Sequence, residues 1–125
     1  MNRRYRLRKQ LEFERVRRSG QSYAHPLIVL VAHPVAHQQD GKPSDEATES
    51  LAHTRFGVAA GRSLGGAVQR NRAKRRIRAA IHPWLALVQP GWDVILIARR
   101  PLLVAPYPAL EKAIEKLLHK AGLLP

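Results

Sequence analysis

Apolar residues along this chain gather into short groups whose spacing assigns each one an element. From Lys9 to Arg18, KQLEFERVRR sets Phe13 and Val16 three apart and is followed by Ser19-Gly20, which predicts a short helix with a thin apolar stripe flanked by cations. LIVLVA, Leu27 to Ala32, is a compact β-branched run between Pro26 and Pro34 and reads as a buried strand. TRFGVAA places Phe56, Val58 and Ala60 on one face at strand period, and Gly61 ends it. Beyond a tight turn at Gly65-Gly66, the residues Ala73, Ile77, Ala80, Ile81 and Trp84 share one arc at helical period, so an amphipathic helix starts near Ala67 and breaks at Pro83. WDVILIA, Trp92 to Ala98, is a second buried strand introduced by Pro90-Gly91. Leu110, Ile114, Leu117 and Leu118 stripe a closing helix. On it Glu111 stands four before Glu115 and Lys112 four before Lys116, so like charges repel and packing must hold the helix.

The predicted order is helix, strand, strand, basic helix, strand, helix, with a further short strand placed near Arg62. Helices and strands in this order argue for an α+β domain with helices on a small sheet. Residues 36–53 are polar, lack periodicity and contain Asp-Gly and Pro-Ser, so they read as a flexible loop within a single domain spanning 1–125.

Charge changes the picture more than composition does. The chain has 22 Lys and Arg against 9 Asp and Glu, a formal net charge of +13. Two segments hold all of the excess, Met1 to Arg18 and Arg62 to Arg78; every other residue sums to zero. A surface that merely kept the protein in solution would mix signs throughout, so the charge is organised toward a polyanion. The absence of cysteine excludes disulfides and thiolate metal sites and fits a reducing compartment such as the cytoplasm. No apolar run is long enough to span a bilayer, so no membrane partner is expected.

Self-sufficient catalysis finds little support. The acids are scattered rather than clustered as two-metal phosphodiester hydrolysis requires. His33 and His37 have ligand spacing, but Pro34 between them denies the helix that spacing needs. GRSLGG lacks the Gly-Lys-Ser ending that completes a phosphate loop. Binding is better supported: along the predicted basic helix Asn71, Arg72, Lys74, Arg75, Arg76 and Arg78 occupy the polar arc with no acid in reach, and guanidinium forks near a helix N-terminus suit phosphate. Arg70 falls on the apolar side by angle, which implies a frayed first turn or a dedicated task. Phe13, set in a basic helix, is either a core residue or a platform for an unpaired base.

GGAVQRNRAKRRIR resembles the signature of the bacterial ribonuclease P protein subunit, Gly-x-Ala-Val-x-Arg-Asn-Arg-x-Lys-Arg, with Gly65, Ala67, Val68, Arg70, Asn71, Arg72, Lys74 and Arg75 in place. Leu7, Phe13, Val16 and Gly20 are similar to that family's first helix, and RFGVAA and DVILIAR to the strands on either side of the signature. The resemblance implies an α-β sandwich in the order αβββαβα with a left-handed βαβ crossover. It also implies a monomeric partner of a catalytic RNA that removes the 5′ leader of precursor tRNA, with Mg²⁺ held chiefly by the RNA. Arg62, Arg70, Asn71, Arg72, Lys74, Arg75, Arg76 and Arg78 would contact the catalytic RNA. Phe13, Arg17 and Val31 would contact the leader, with Arg17 and Val31 standing where the family often carries aromatics. Arg62-Ser63 replaces a frequent Lys-Lys pair. A ribosomal or ribosome-assembly RNA binder, and a protein-only nuclease, are the other readings that the charge permits.

Overall fold

The computed structural model describes residues 5–35 and 53–125. These form α1 (Gln10–Ser19), β1 (Gln21–Ala24), β2 (Ile28–Pro34), β3 (Arg55–Ala59), α2 (Ala67–Ile81), β4 (Trp92–Ala98) and α3 (Tyr107–Lys120), with 3-10 turns at Arg62–Leu64, His82–Trp84 and Arg100–Leu103. The segment expected to be a loop lies outside the described residues except for His53. The four strands make one sheet in the order β1-β2-β4-β3, in which β2 runs antiparallel to both neighbours and β3 runs parallel to β4. The β3-α2-β4 segment is thus a crossover unit, and the α+β order αβββαβα is the expected one.

The additional strand is not where the sequence suggested. It lies at Gln21–Ala24, directly after α1, while the Arg62 region is a 3-10 turn that buries only Leu64. QSYA turns just Tyr23 toward the core and leaves its other side chains to solvent, so as an edge strand it carries no apolar alternation to recognise. At the end of the 3-10 turn Gly65 has φ of 121°, a conformation that side-chain-bearing residues rarely adopt, and this reverses the chain into α2.

Both central strands read as unbroken apolar runs because the sheet is covered on both faces. Ile28, Leu30 and Ala32 of β2 and Val94, Leu96 and Ala98 of β4 point into the larger core, where they meet Ala73, Ile77, Ala80 and Ile81 of α2 and Leu110, Ile114, Leu117 and Leu118 of α3. The like-charged pairs of α3 sit on its solvent side, and burial of its leucine stripe holds it as anticipated. The opposite face carries a smaller core, Val31 and Ile95 under Leu7 and Val16, which seats α1 across the sheet.

What fixes α1 there is a buried ionic network. Arg55 and Asp93 are register partners in the parallel β3-β4 ladder, and the Arg55 guanidinium donates from Nε and Nη2 to the two carboxylate oxygens of Asp93 at 3.0 Å each. Its Nη1 pairs with Glu12 of α1. Glu12 in turn accepts from the Lys9 backbone N–H at 3.1 Å, closing the first turn of α1. Arg55, Asp93 and Glu12 are 6%, 4% and 7% exposed, respectively. Burial pulls the Arg55 pKa down, but the hydrogen bond and charge of Asp93, followed by Glu12, outweigh it and hold the pKa above its usual value.

Two stability effects are expected. Asp93→Asn leaves a buried guanidinium short of charge, and urea unfolding should show a loss of about 3–5 kcal/mol, as breaking a buried pair on one side does elsewhere; a loss near that of an exposed pair would refute the network's role. His25 supplies the second. Its Nδ1 accepts from the Leu27 N–H at 3.1 Å, so the turn between β1 and β2 needs that nitrogen unprotonated. Burial, then the charges of Lys116 and Lys120, lower its pKa from 6.5. With the folded pKa depressed, the unfolded chain takes up the proton first, so this stability is complete above pH 6.5 and is lost as pH falls below it toward the folded pKa. Unfolding measured at successive pH values should show a smaller acid-side loss in His25→Asn, whose amide oxygen can accept the same bond without titrating.

Candidate nucleic-acid interface

Helix α2 buries Ala73, Ile77, Ala80 and Ile81 and turns its cations outward in more than one direction. Asn71, Arg72 and Arg75 are exposed, as is Arg62 in the preceding turn. The first turn of α2 has no side-chain cap and no acid, so its leading backbone amides face solvent beside these guanidinium groups, an arrangement suited to phosphate oxygens. Arg70 is half-buried, with its Nε lacking a hydrogen-bond partner, in keeping with its position toward the apolar side. Arg76 departs from the expectation. Its two terminal nitrogens donate to the carbonyl oxygens of Leu102 and Ala105, so it ties α2 to the turn before α3 and is not presented to a partner. Helical period gave the correct angular position, but a guanidinium reaches far enough to be drawn back to unpaired carbonyls.

On α1, Phe13 lies half-buried over β3, directly against Gly57. A Cβ placed on Gly57 would come within 2.6 Å of the Phe13 Cε1, so the glycine is the seat of the ring. The two readings of Phe13 therefore merge: one side of the ring packs on the small core and the residue keeps part of its surface open. Arg17, one turn along, is exposed. Val31 is not part of this surface. It is 3% exposed, covered by Leu7 and Val16 and in the core with Ile95, so α1 itself stands between Val31 and any strand of RNA.

Phe13 also lines a groove of about 410 Å³ along the outer edge of β3, together with Arg6, Leu7, Arg8, Phe56, Gly57, Val58, Lys74 and Arg78. The segment before α1 forms one wall: Arg6 bridges to Phe56, and the Leu7 N–H donates to the Phe56 carbonyl at 2.8 Å. Four cations and no acid line this groove. Arg6, Arg8 and Gly57 were not singled out from the sequence. The clue available for the arginines is their alternation about Leu7, which marks a strand-like segment with one buried side chain between two outward cations.

Two buried carboxylates of this region, Glu12 and Asp93, are committed to Arg55. Among the described residues no group of three or more His, Asp or Glu side chains could hold one. The arrangement offers cations that suit phosphate and a partly open aromatic ring that suits a base. Two α2 substitutions should separate its parts. Arg75→Ala should reduce the slope of log affinity against log salt for RNA by about 0.7–1, the effect of one lost phosphate contact. Arg76→Ala should leave that slope unchanged and lower the unfolding free energy, since it removes a bond to the protein's own backbone.

Comparison with known proteins agrees with this geometry. The family model described as Ribonuclease P matches residues 1–122. The ribonuclease P protein component of Symbiobacterium thermophilum is 41% identical over 99% of this chain and 96% of its own length, and that of Herpetosiphon aurantiacus is 36% identical over 98% and 89%. The solved structure of the Staphylococcus aureus RNase P protein superposes with a TM-score of 0.74 at 26% identity, covering 97% of this chain and 98% of that one. The RNase P protein from Thermotoga maritima shares the fold, with a TM-score of 0.69 at 21% identity over 92% and 96%. Neither the ribosomal reading nor the protein-only nuclease is favoured by these relatives. Signature, fold and near full-length similarity agree: this chain belongs to the ribonuclease P protein family, as a protein subunit that associates with ribonuclease P RNA.

Proposed function

We propose that the chain, acting as a monomer beside the catalytic RNA, grips the single-stranded 5′ leader of precursor tRNA and so assists endonucleolytic removal of that leader. The observation that carries this reading is the position of Phe13, seated on Gly57 with part of its surface open and with exposed Arg17 one turn away. An aromatic face accepts any base, and base stacking on such a ring is worth roughly 1–3 kcal/mol. The exposed Arg62, Asn71, Arg72 and Arg75 give the catalytic RNA a second surface on the same molecule. Mg²⁺ belongs, on this reading, chiefly to the RNA. The protein's part is to hold both RNAs in register and to offset phosphate repulsion where they meet, which matters most when divalent ions are scarce.

The direct test is leader removal from a precursor tRNA at low Mg²⁺ by a bacterial ribonuclease P RNA, with the protein, without it, and by the protein alone. Stimulation is expected only when RNA and protein are combined. Phe13→Ala should weaken precursor binding by about 1–3 kcal/mol, the worth of one stacked base, while leaving mature tRNA binding unaltered. Equal loss for precursor and mature tRNA would assign Phe13 to the core alone.

A further inference from the structure

From the placement of α3 beside the turn between β1 and β2, we infer a further phosphate-binding site, made by His25, Lys116 and Lys120, that takes backbone phosphates of the catalytic RNA on the face of the domain away from Phe13. The inference rests on the chain's association with ribonuclease P RNA and is independent of the leader reading.

The turn is held firmly and presents a donor. The His25 N–H donates to the Ile28 carbonyl at 3.0 Å and the Ile28 N–H to the His25 carbonyl at 3.3 Å, so Pro26 and Leu27 alone make the loop. Arg99, just past β4, fastens it from the side: its backbone N–H donates to the Leu27 carbonyl at 3.0 Å and its Nη1 to the His25 carbonyl at 3.3 Å. Because His25 Nδ1 accepts from the Leu27 N–H, the hydrogen of the neutral ring sits on Nε2. That nitrogen has no partner among the described residues and is a donor for an incoming oxygen.

Helix α3 packs against β1 and β2 and carries Lys112, Lys116 and Lys120 at intervals of four, a row rising about 6 Å per step. Lys116 and Lys120 lie close enough to His25 for their charges to act on its ring, and no carboxylate is among the groups that do so. Both lysines are exposed and have no ion-pair partner among the described residues. Like charges at this spacing repel along a helix, and an anion set between them removes the repulsion. The acids of α3 keep to another flank: Glu111 and Glu115 each precede a lysine by one residue, about 100° around the helix. α2 packs on β3 and β4 and α3 on β1 and β2, so with the lysines toward β1 the glutamates turn toward the seam with α2. Two ammonium groups and an imidazole N–H, all donors, remain beside the turn, and that composition suits phosphate oxygens.

Position selects the source of the phosphate. Phe13 and α1 lie over the opposite face of the sheet, so a leader resting on that ring is separated from α3 by four strands, about 14 Å across at ordinary strand spacing. A folded RNA on the α2-α3 layer meets no such obstacle. It reaches the exposed Arg72 and Arg75 of α2 and the lysine row of α3 together, while Glu111 and Glu115 repel it from the seam between them. Two separated contacts fix the orientation of a rigid partner, which a single patch does not.

The test compares Lys116→Gln with Lys120→Gln against Arg15→Gln with Arg18→Gln, a control that removes the same charge from exposed positions on α1. Circular dichroism and thermal melting confirm that each protein is folded. Affinity for a bacterial ribonuclease P RNA is measured over a series of salt concentrations, and the assembled complexes are then titrated with precursor tRNA. The lysine pair should lose fivefold or more in affinity for the catalytic RNA and reduce the slope of log affinity against log salt by about 1.4–1.8, the effect of two lost phosphate contacts. The control should change that affinity less than twofold, and the lysine pair should leave precursor affinity unaltered. Equal losses in the pair and the control would assign the effect to net charge and overturn the inference. Unchanged affinity for the catalytic RNA would also overturn it, as would a loss confined to precursor tRNA, which would give the patch to the substrate. A second measurement reads the site itself. Inorganic phosphate added to the unsubstituted protein should shift the His25 ring resonances, identified by their absence in His25→Asn, and the lysine pair should abolish that shift. No shift in the unsubstituted protein would remove phosphate as the ligand and overturn the inference. None of these outcomes bears on the contact of Phe13 with a leader base, which Phe13→Ala tests separately.

Discussion

A buried guanidinium between two carboxylates governs the side of this protein that carries α1. Arg55 joins β3 to β4 through Asp93 and reaches across to Glu12 on α1, and Glu12 also closes the first turn of that helix. Among the described residues the small core beneath α1 fully buries Leu7, Val16, Val31 and Ile95, with Phe13, Val29, Ala59 and Ile97 partly buried against it, and apolar contact of this kind is non-directional. Charge pairing supplies the direction that apolar packing lacks, since the fork of an arginine donates to carboxylates along set lines. Phe13 follows Glu12 in sequence, so the ring takes its place on Gly57 from the same anchor.

This division of labour gives the molecule two unlike faces. Below the sheet, a large apolar core with α2 and α3 supplies most of the burial. Above it, α1 is held by a few polar contacts, and the surface that results is basic and part aromatic. Lys74 and Arg78 of α2 are brought to the edge of the sheet by the crossover between β3 and β4, so they adjoin the α1 surface instead of standing on the far side of the domain.

The sequence made the elements with strong periodicity legible: both buried strands, α2 with its apolar arc, and α3 with its leucine stripe. The signature on α2 made the family legible as well. β1 was not, because an exposed four-residue edge strand with one inward side chain has no pattern. Val31 was assigned to binding by its place in the family pattern and Arg76 by its angle on the helix, and tertiary contacts decided otherwise: a helix covers the first and backbone carbonyls hold the second. Arg55 and Asp93 offered a signal that went unused, a lone charge of opposite sign at the head of each of two strands destined for burial. Such charges must find each other. The groove could not have been read at all, since it joins residues from positions 6 to 78 that share no local pattern.

The ionic anchor also sets an order of events in time. Its members stand at positions 12, 55 and 93, so during synthesis the first helix emerges long before either strand that holds it. Closing contacts across that much chain carries an entropic cost that local elements do not meet. The surface made first by the ribosome therefore cannot take its final shape until β4 has emerged, and a nascent chain ending before β4 carries the N-terminal arginines without the geometry that orders them.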